Sequence, residues 1–382
     1  RDQVKVGLIK NILKCEDTDV MFDAYTNLGV KYSILSENED SVDIEVFPST
    51  KKNHGSLFMN NSGTSTRFLI PCLGLIKGEF ILDGCERMRK RPIVDLIHAM
   101  RDLGVNIEFL NEDGFLPVKI TSSGAMTGTA RIKCNISSQY LSGLLIAQSL
   151  ADKSFNIEVI GDRIVSEPYI ELTNSVIENF QNDTEFTIEG DYSSASYFFA
   201  LGALTEFKVA VFNLSNNSSQ ADRYFLDALK EMGCKISNSS NTITVSRNKL
   251  LKPLPKYDCS QFPDAAMTLI ITCALTPGIS MLTGLSTLKH KECDRLSALH
   301  LELAKIGVKT EITSDSIKIW GVDSNKLKQA NIETYRDHRI AMCFAIAKYF
   351  EPTINILDPS CVNKTFPSFW NRWSSLTIKF NS

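Results

Sequence analysis

The chain has 382 residues, of which 43% are hydrophobic and 22% are charged, and its net charge is −3. This composition is ordinary for a globular protein with buried cores, and the length suggests two domains. The charge balance excludes the global basic field that binds nucleic acid, and no apolar run reaches the ~20 residues that a membrane span needs.

Ten cysteines are scattered along the chain, and none belongs to a Cys-X-X-Cys pair. A chain of this size does not need disulfides for stability, so we expect free and mostly buried thiols in a reducing compartment. No signal peptide is recognisable in the sequence, and we expect a soluble, cytoplasmic protein. The spacing of His and Cys residues suggests no metal site.

One pattern recurs along the chain: an amphipathic helix, then a glycine, then a short strand. It is centred on Gly29, Gly104, Gly233 and Gly307. Glycine after the last apolar residue of a helix is a usual C-cap, because glycine enters the left-handed conformation freely. Gly104 follows Gly29 by 75 residues and Gly307 follows Gly233 by 74. This near-equal spacing predicts a repeated βα unit.

The strands that follow these glycines alternate apolar and polar residues, at 31–34, 106–110, 235–237 and 309–312. Two degenerate copies are predicted to end in strands at 185–188 and 376–380. Three copies plus three copies predict two similar domains, 1–188 and 189–382, which join where a strand ends and a new helix begins. The polar segment 213–220 is interpreted as a surface loop inside the second domain.

Polar clusters precede one apolar helix after another, at 61–67, 87–92, 137–139, 166–169, 189–194, 263–264, 291–295, 337–339 and 364–367. Ser, Thr and Asp at a helix start usually act as caps, and capping alone explains most of these clusters. Pro92 is placed by this pattern in the first turn of a helix, where its missing N–H costs nothing.

Capping does not explain the basic residues in these clusters, because a cation opposes the positive end of the helix dipole. Seven basic residues break that rule: Arg67, Arg87, Arg91, Lys291, Arg295, Arg339 and Lys364. A bound anion resolves the conflict, since helix N-termini together with Arg and Lys form phosphate and carboxylate sites. If the helices point at one cleft, the sequence predicts a site for a dianionic or trianionic ligand.

Nine stretches match one enzyme family in the same order: NSGTSTRFL, RMRKRPIVDL, SSQYLSGLL, SEPYI, GDYSSASYF, PDAAMT, KECDRL, YRDHRIAM and DPSCVNKTFPSFW. On these stretches the chain resembles the 5-enolpyruvylshikimate-3-phosphate synthases, also called 3-phosphoshikimate 1-carboxyvinyltransferases. Each stretch is a weak signal alone, whereas nine in order over nearly the whole chain are specific. GTSTRFL and RMRKRPI look most like the domain within eukaryotic multifunctional polypeptides, which implies fusion to other shikimate-pathway domains.

The resemblance implies an α/β (α+β) fold of two domains, an inside-out α/β barrel. Each domain would contain three βαβαββ repeats, with helices inside, sheets outside and the active site in the interdomain cleft. The implied reaction transfers the enolpyruvyl group of phosphoenolpyruvate to the 5-hydroxyl of shikimate 3-phosphate and releases phosphate, in chorismate and aromatic amino acid biosynthesis. The family needs no metal and no organic cofactor.

The resemblance also implies roles for single residues. Shikimate 3-phosphate would be bound by Ser137, Ser138, Gln139, Ser166, Tyr169, Asp264 and Lys291. Phosphoenolpyruvate would be bound by Gly63, Arg87, Gln139, Arg295, Arg339 and Lys364. The catalytic residues would be Asp264, Glu292, His338 and Lys364. Asp264 and Glu292 are the acid–base candidates, and which of them moves which proton stays open.

One family motif is missing from this sequence, and two alternative functions stay open. In the family a Lys-Ser…Arg motif on the first strand contacts both substrates, and this sequence begins after it, so we expect a fragment with an incomplete site. The sister enzyme that acts on UDP-N-acetylglucosamine is one alternative, because it often uses a loop cysteine and Cys85 lies near such a position. The other alternative is a non-catalytic module of a larger polypeptide.

Overall fold

The computed structural model describes residues 7–161 and 164–381. Contacts between Cα atoms divide the chain into two compact units, Arg1–Ile188 and Glu189–Ser382. Both units combine helices with several small sheets. Within the described ranges, no helix is long and apolar enough to cross a membrane. The residue Arg1, where the predicted fragment starts, lies outside those ranges.

The first unit has five helices and ten strands among its described residues. The helices are α1 (Glu16–Asn27), α2 (Gly63–Leu73), α3 (Val94–Asp102), α4 (Gln139–Leu150) and α5 (Pro168–Asn182). The strands are β1 (Gly7–Leu13), β2 (Lys31–Glu37), β3 (Ser41–Phe47), β4 (His54–Phe58), β5 (Gly78–Asp83), β6 (Asn106–Phe109), β7 (Val118–Ser122), β8 (Thr129–Lys133), β9 (Asn156–Ile160) and β10 (Glu185–Thr187).

The strands of the first unit form three sheets, with the orders β10-β1-β3-β2, β4-β5-β7-β6 and β8-β9. In the second of these, β4 runs parallel to β5, and the remaining neighbours are antiparallel. Its elements follow the chain as β4-α2-β5-α3-β6-β7, which is one complete βαβαββ unit. Strand β10 pairs in parallel with β1, so the end of the unit completes the sheet that its beginning started.

The second unit has six helices and nine strands in its described part. The helices are α6 (Tyr192–Leu204), α7 (Phe225–Glu231), α8 (Pro263–Ala274), α9 (Arg295–Lys305), α10 (His338–Phe350) and α11 (Phe369–Asn381). The strands are β11 (Val209–Phe212), β12 (Lys235–Ser239), β13 (Thr242–Ser246), β14 (Tyr257–Asp258), β15 (Gly278–Thr283), β16 (Lys309–Ile312), β17 (Ser316–Gly321), β18 (Asn331–Ile332) and β19 (Asn355–Ile356).

The sheets of the second unit repeat the pattern of the first. Their orders are β11-β13-β12, β14-β15-β17-β16 and β18-β19. The four-stranded sheet matches β4-β5-β7-β6 in strand order and direction, and its elements again follow the chain as βαβαββ. Two parallel pairs also correspond: β8-β9 with α4 between the strands, and β18-β19 with α10 between them. The repeated βα unit that the glycine spacing predicts is confirmed.

The four glycines of the repeated pattern have positive φ angles: Gly29 (90°), Gly104 (83°), Gly233 (106°) and Gly307 (90°). At the first of them, the amide of Val30 donates to the carbonyl of Tyr25 at 2.9 Å, and the amide of Gly29 donates to that of Thr26 at 3.0 Å. These two bonds are the Schellman motif, which needs a left-handed residue at the glycine position. The predicted C-caps are confirmed.

Helices form the interior of the second unit. Every residue of α8 except Asp264 is buried, and α8 packs against α6 and α10. Ser196 of α6 and Thr268 of α8 share a hydrogen bond of 2.8 Å between their hydroxyls. A helix that is apolar on all sides belongs in a core, which leaves the sheets to face outward. All ten cysteines are free, and six of them are buried.

The predicted strand at 376–380 is wrong, because α11 runs without interruption from Phe369 to Asn381. Five alternating residues are too few to distinguish a strand from the end of a helix. The deciding spacing lies earlier: Phe369 and Trp373 are buried, and Leu376 packs against the same core. These positions follow i, i+4, i+7, which is the helical period.

Candidate active site

In the first unit, Gln139 joins the beginnings of α2 and α4. Arg67 donates from Nη1 to Gln139 Oε1 at 2.7 Å, and Gln139 Nε2 donates to Thr64 Oγ1 at 2.8 Å. Arg67 also donates from Nη2 to the carbonyl of Pro92 at 3.4 Å, and the Tyr140 hydroxyl donates to that carbonyl at 2.6 Å. The segment before α3 is therefore tied to both helices.

The position of Pro92 differs from the prediction, since α3 begins at Val94 and its N-cap is Ile93. Arg91 has an extended backbone, with φ −96° and ψ 124°. The helix starts later because Ile93, with φ −136° and ψ 4°, lies outside the helical region. The proline carbonyl is thereby left available as an acceptor.

A second buried guanidinium, that of Arg91, lies against the first residue of α2. A Cβ on Gly63 would stand 2.5 Å from Arg91 Nη2, closer than real Cβ contacts come. Arg91 Nη1 donates to the carbonyl of Asn61 at 3.3 Å, which holds the side chain there. Glycine is therefore the residue that lets a cation sit at the N-terminus of α2, where the helix dipole favours an anion.

The remaining sequence-predicted residues of the first unit lie at two helix starts and one turn. Ser138 is buried at the N-cap position of α4, and its hydroxyl makes no capping bond. Ser137 Oγ accepts from the amide of Gln139 at 3.3 Å. Arg87 is half-buried immediately before the 3₁₀ turn Met88–Lys90. Ser137, Ser138 and Gln139 therefore lie together at the N-terminus of α4.

Ser166 and Tyr169 lie where α5 begins. Ser166 has a positive φ of 53°, and its carbonyl accepts from the amide of Tyr169 at 3.1 Å. Helix α5 packs against α4, and Thr173 Oγ1 donates to Ser142 Oγ at 2.8 Å across that contact. All five predicted shikimate 3-phosphate residues of this unit thus lie in or just before the first turns of two packed helices.

Arg295 is the centre of the polar cluster in the second unit. Its Nε donates to Asp337 Oδ2 at 2.7 Å, its Nη1 to Asp264 Oδ1 at 2.9 Å and its Nη2 to Glu292 Oε2 at 2.8 Å. The side chain is only 1% exposed. Burial alone would lower the pKa of this guanidinium, but the three carboxylates outweigh it and raise the pKa above its usual value. Arg295 therefore stays charged.

Asp264 contacts three cations at once. Besides Arg295, its carboxylate lies 3.3 Å from Lys291 Nζ and 3.3 Å from Arg339 Nη2. Burial raises the pKa of this carboxyl, but the positive charges of Arg339, Lys291 and Arg295 outweigh burial and hold the pKa well below its usual range. Asp264 is 19% exposed, which makes it the one residue of α8 that a ligand can reach.

Lys364 completes the network by approaching Glu292 Oε1 at 3.2 Å. Among the residues that the structure describes, these ion pairs join the charged side chains of Asp264, Lys291, Glu292, Arg295, Asp337, Arg339 and Lys364, which are seven in number. Four of these seven are cations, and Asp191 and Asp222 also act electrostatically on one of them, Arg339. Guanidinium and ammonium groups gathered at helix starts favour binding of an anion.

His338 is buried at the start of α10, beside this network. Burial lowers the pKa of its imidazole to about 3, and the positive charge of Lys364 acts in the same direction. Its Nδ1 lies 3.8 Å from Asp337 Oδ1, which is too far for a hydrogen bond. His338 is therefore neutral at physiological pH.

A His338→Gln variant should lose part of the acid sensitivity of the parent. In the parent the folded-state pKa of about 3 lies below the usual 6.5, so the unfolded state binds more protons between these values. His338 alone should lower the free energy of unfolding by about 1.6 kcal/mol between pH 6.5 and pH 5, and this part of the loss should be absent in the variant. Urea titrations of both proteins at the two pH values measure this difference. Equal losses in parent and variant would contradict the buried, neutral imidazole.

Arg339 is held by residues that the sequence did not single out. Its Nη1 donates to the hydroxyl of Ser193 and, at 3.4 Å, to the hydroxyl of Tyr197, and both of these residues are on α6. Asp337 was likewise missed as an ion-pair partner, although it lies in the YRDHRIAM stretch. The presence of Ser193 in GDYSSASYF was the available signal.

Comparison with known proteins decides the family. The family model described as EPSP synthase (3-phosphoshikimate 1-carboxyvinyltransferase) matches residues 4–183 and 178–373. A protein named 3-phosphoshikimate 1-carboxyvinyltransferase from Haemophilus influenzae (strain PittGG) is 37% identical over 396 residues, which covers 97% of this chain and 90% of the relative. One of that name from Vibrio vulnificus (strain YJ016) is 36% identical over 391 residues, with the same coverage. The chain belongs to the EPSP synthase family.

Solved structures share the fold of this EPSP synthase family chain. The EPSP synthase from Acinetobacter baumannii has a TM-score of 0.74 at 23% identity and covers 97% of this chain and 90% of its own. The enolpyruvyl transferase NikO from Streptomyces tendae has a TM-score of 0.69 at 13% identity, over 97% of this chain and 89% of its own. At such identities the likeness concerns the fold alone, and it confirms the predicted fold class.

In this member of the EPSP synthase family, the structure brings the predicted charged residues of the second unit together. In the first unit, Gln139 donates to Thr64, the residue that follows Gly63. Six predicted residues of the second unit share one ion-pair network: Asp264, Lys291, Glu292, Arg295, Arg339 and Lys364. In the described part of the chain, no group of three or more His, Cys, Asp or Glu residues is placed to hold a metal ion.

Proposed function

We propose that the protein transfers the enolpyruvyl group of phosphoenolpyruvate to the 5-hydroxyl of shikimate 3-phosphate, which gives 5-enolpyruvylshikimate 3-phosphate and phosphate. The observation that carries this proposal is the network around Arg295, which gathers four cations at helix starts. Both substrates are multiply charged anions, and fixed cations stabilise such charge without reorganising during the reaction. Relatives named for this activity, at 36–37% identity over 97% of the chain, support it.

The proposed chemistry has two stages. In the first, the methylene carbon of phosphoenolpyruvate gains a proton, and the 5-hydroxyl oxygen attacks the adjacent carbon while losing its own proton. In the second, the tetrahedral intermediate loses phosphate, and a proton leaves the methyl group to restore the double bond. Asp264 and Glu292 are the proposed acid–base groups, because both lie among cations that fix their orientation.

The cations of the second unit are proposed to hold phosphoenolpyruvate. Arg295 and Arg339 offer planar donors that suit carboxylate and phosphate oxygens, and Lys364 adds a point charge beside Glu292. Asp264 and Lys291 are proposed to contact the shikimate ring. His338, neutral in this environment, is proposed to lie beside the reacting carbons. These four cations then stabilise charge throughout the reaction.

Residues of the first unit are proposed to bind the same two substrates. Those assigned to shikimate 3-phosphate are Ser137, Ser138, Gln139, Ser166 and Tyr169. Those assigned to phosphoenolpyruvate are Gly63, Arg87 and Gln139. We also propose that the two units, 1–188 and 189–382, are the two domains of the family fold. The cytoplasmic location and fusion to other shikimate-pathway domains stay predictions.

The test uses the natural full-length protein with both substrates and measures phosphate release. We expect release only when phosphoenolpyruvate and shikimate 3-phosphate are present together. Folded protein that binds shikimate 3-phosphate and releases no phosphate would overturn the proposal. A parallel reaction with UDP-N-acetylglucosamine as acceptor covers the sister activity, and release in that reaction alone would replace one function by the other.

A further inference from the structure

The loop 333–337 leads into α10 through two residues with an uncommon backbone. Tyr335 has φ 54° and Arg336 has φ 55°, both in the left-handed region. Residues with a side chain rarely adopt this conformation, because Cβ approaches the following carbonyl oxygen. Two such residues in succession persist only where the surrounding structure holds them. The next residue is Asp337, a member of the network around Arg295.

Glu302 of α9 binds this loop by hydrogen bonds. Its side chain is fully buried, and its Oε1 accepts from the Tyr335 hydroxyl at 2.8 Å. Its Oε2 accepts from the amide of Glu333 at 3.0 Å and from Lys305 Nζ at 2.6 Å. The burial of Glu302 is thus compensated by donors, two of which come from the loop itself.

Helix α9 therefore binds the loop 333–337 through two of its side chains. Arg295, in its first turn, binds the Asp337 carboxylate at 2.7 Å. Glu302 stands seven residues later, which is about two turns along the same face of the helix. Asp337 in turn accepts from the amide of Arg339 at 2.9 Å and so caps α10. The position of Asp337 therefore depends on a strained loop, and the hydrogen bonds to Glu302 stabilise the strained conformation.

We propose that Tyr335 and Glu302 are positioning residues: their hydrogen bond keeps the loop 333–337 in its left-handed conformation and so presents Asp337 to Arg295. The Arg295 guanidinium is then oriented for phosphoenolpyruvate, which makes this inference rest on the proposed function. Neither Tyr335 nor Glu302 belongs to the ion-pair network itself.

The first test is Tyr335→Phe, which removes only the hydroxyl. We expect KM for phosphoenolpyruvate to rise about tenfold, because small displacements of a substrate-orienting group cost up to ~100-fold. KM for shikimate 3-phosphate should change less than about twofold, since Asp264, which is assigned to that substrate, is also held by Lys291 and Arg339. Equal changes in both constants, or no change, would overturn the proposal.

The second test is rescue by Arg336→Gly in the Tyr335→Phe background. Glycine adopts positive φ without steric cost, so the loop would keep its shape without the hydroxyl bond. We expect the double variant to recover most of the affinity for phosphoenolpyruvate. The matched control is Tyr349→Phe, which lies about 16 Å along α10 from His338 and should leave both KM values unchanged. A double variant as impaired as Tyr335→Phe would contradict the strain argument.

A third measurement separates this inference from the proposed function. Hydrogen exchange of the first turn of α10 reports on the Asp337 cap, because the Arg339 amide donates to it. We expect faster exchange there in Tyr335→Phe than in the parent and in Tyr349→Phe. If the parent transfers no enolpyruvyl group, the proposed function fails, and faster exchange still supports the positioning role. Unchanged exchange in Tyr335→Phe would overturn it.

Discussion

Replacing Asp264 by Asn is expected to lower kcat for enolpyruvyl transfer by roughly 10²–10⁴-fold, the range typical for loss of an acid–base group. The carboxylate lies within 3.3 Å of Lys291, Arg295 and Arg339, and the variant leaves these three cations around a neutral amide. One negative charge is lost among these cations, and an N–H₂ group faces guanidinium or ammonium donors. Initial rates of phosphate release at saturating substrate measure the effect.

The control for this variant is Asp227→Asn. Asp227 pairs with Lys230 at 2.7 Å on the exposed side of α7, outside the network. Its kcat should stay within about twofold of the parent, because surface pairs contribute little. Circular dichroism on all three proteins establishes that the second unit remains folded. A kcat for Asp264→Asn within threefold of the parent would remove Asp264 from the acid–base candidates.

Replacing Arg295 by Ala is expected to have the largest effect on stability. The substitution leaves three carboxylates, Asp264, Glu292 and Asp337, without their shared partner in a buried site. Removing one member of a buried ion pair costs about 3–5 kcal/mol of unfolding free energy. For a unit of this size that loss lowers Tm by roughly 10 °C. Urea titration and thermal melting measure it.

Two further variants calibrate this result. Arg295→Lys keeps the charge but cannot bridge three carboxylates, so about half of the loss should remain. Arg131→Ala makes the matching change at a side chain that is 60% exposed and pairs with Glu158 at 3.4 Å. Its cost should stay below about 1 kcal/mol. If Arg295→Ala loses no more than Arg131→Ala, the network does not stabilise the fold.

The repeat in the fold was readable from the sequence because it depends on local chemistry. A glycine after an amphipathic helix and before a strand favours a left-handed turn, and Gly29 and Gly233 show the same bonds in both units. The segment 376–380 was misjudged for the opposite reason. Its alternation is local, but helical packing of Phe369 and Trp373 decides its conformation.

The site was readable only in part. Basic residues at helix starts pointed to an anion, yet the sequence could not show that Asp337 meets Arg295, because 42 residues separate them. Its role as N-cap of α10 offered a sufficient local explanation. The bond between Arg67 and Gln139 spans 72 residues and was missed likewise. Pair contacts of this kind follow from the packing of helices, which a single sequence does not specify.

The pairing of β1 with β10 has a consequence for synthesis. Ribosomes add roughly 5–20 residues per second, so the 175 residues between Lys10 and Glu185 take about 10–35 s to make. Strand β3 is synthesised soon after β1 and pairs with one of its edges. The backbone N–H and C=O groups on the other edge of β1 stay unpaired until β10 has been synthesised. A nascent chain that stops short of residue 185 keeps this edge open, and we expect such products to aggregate rather than persist as a stable half.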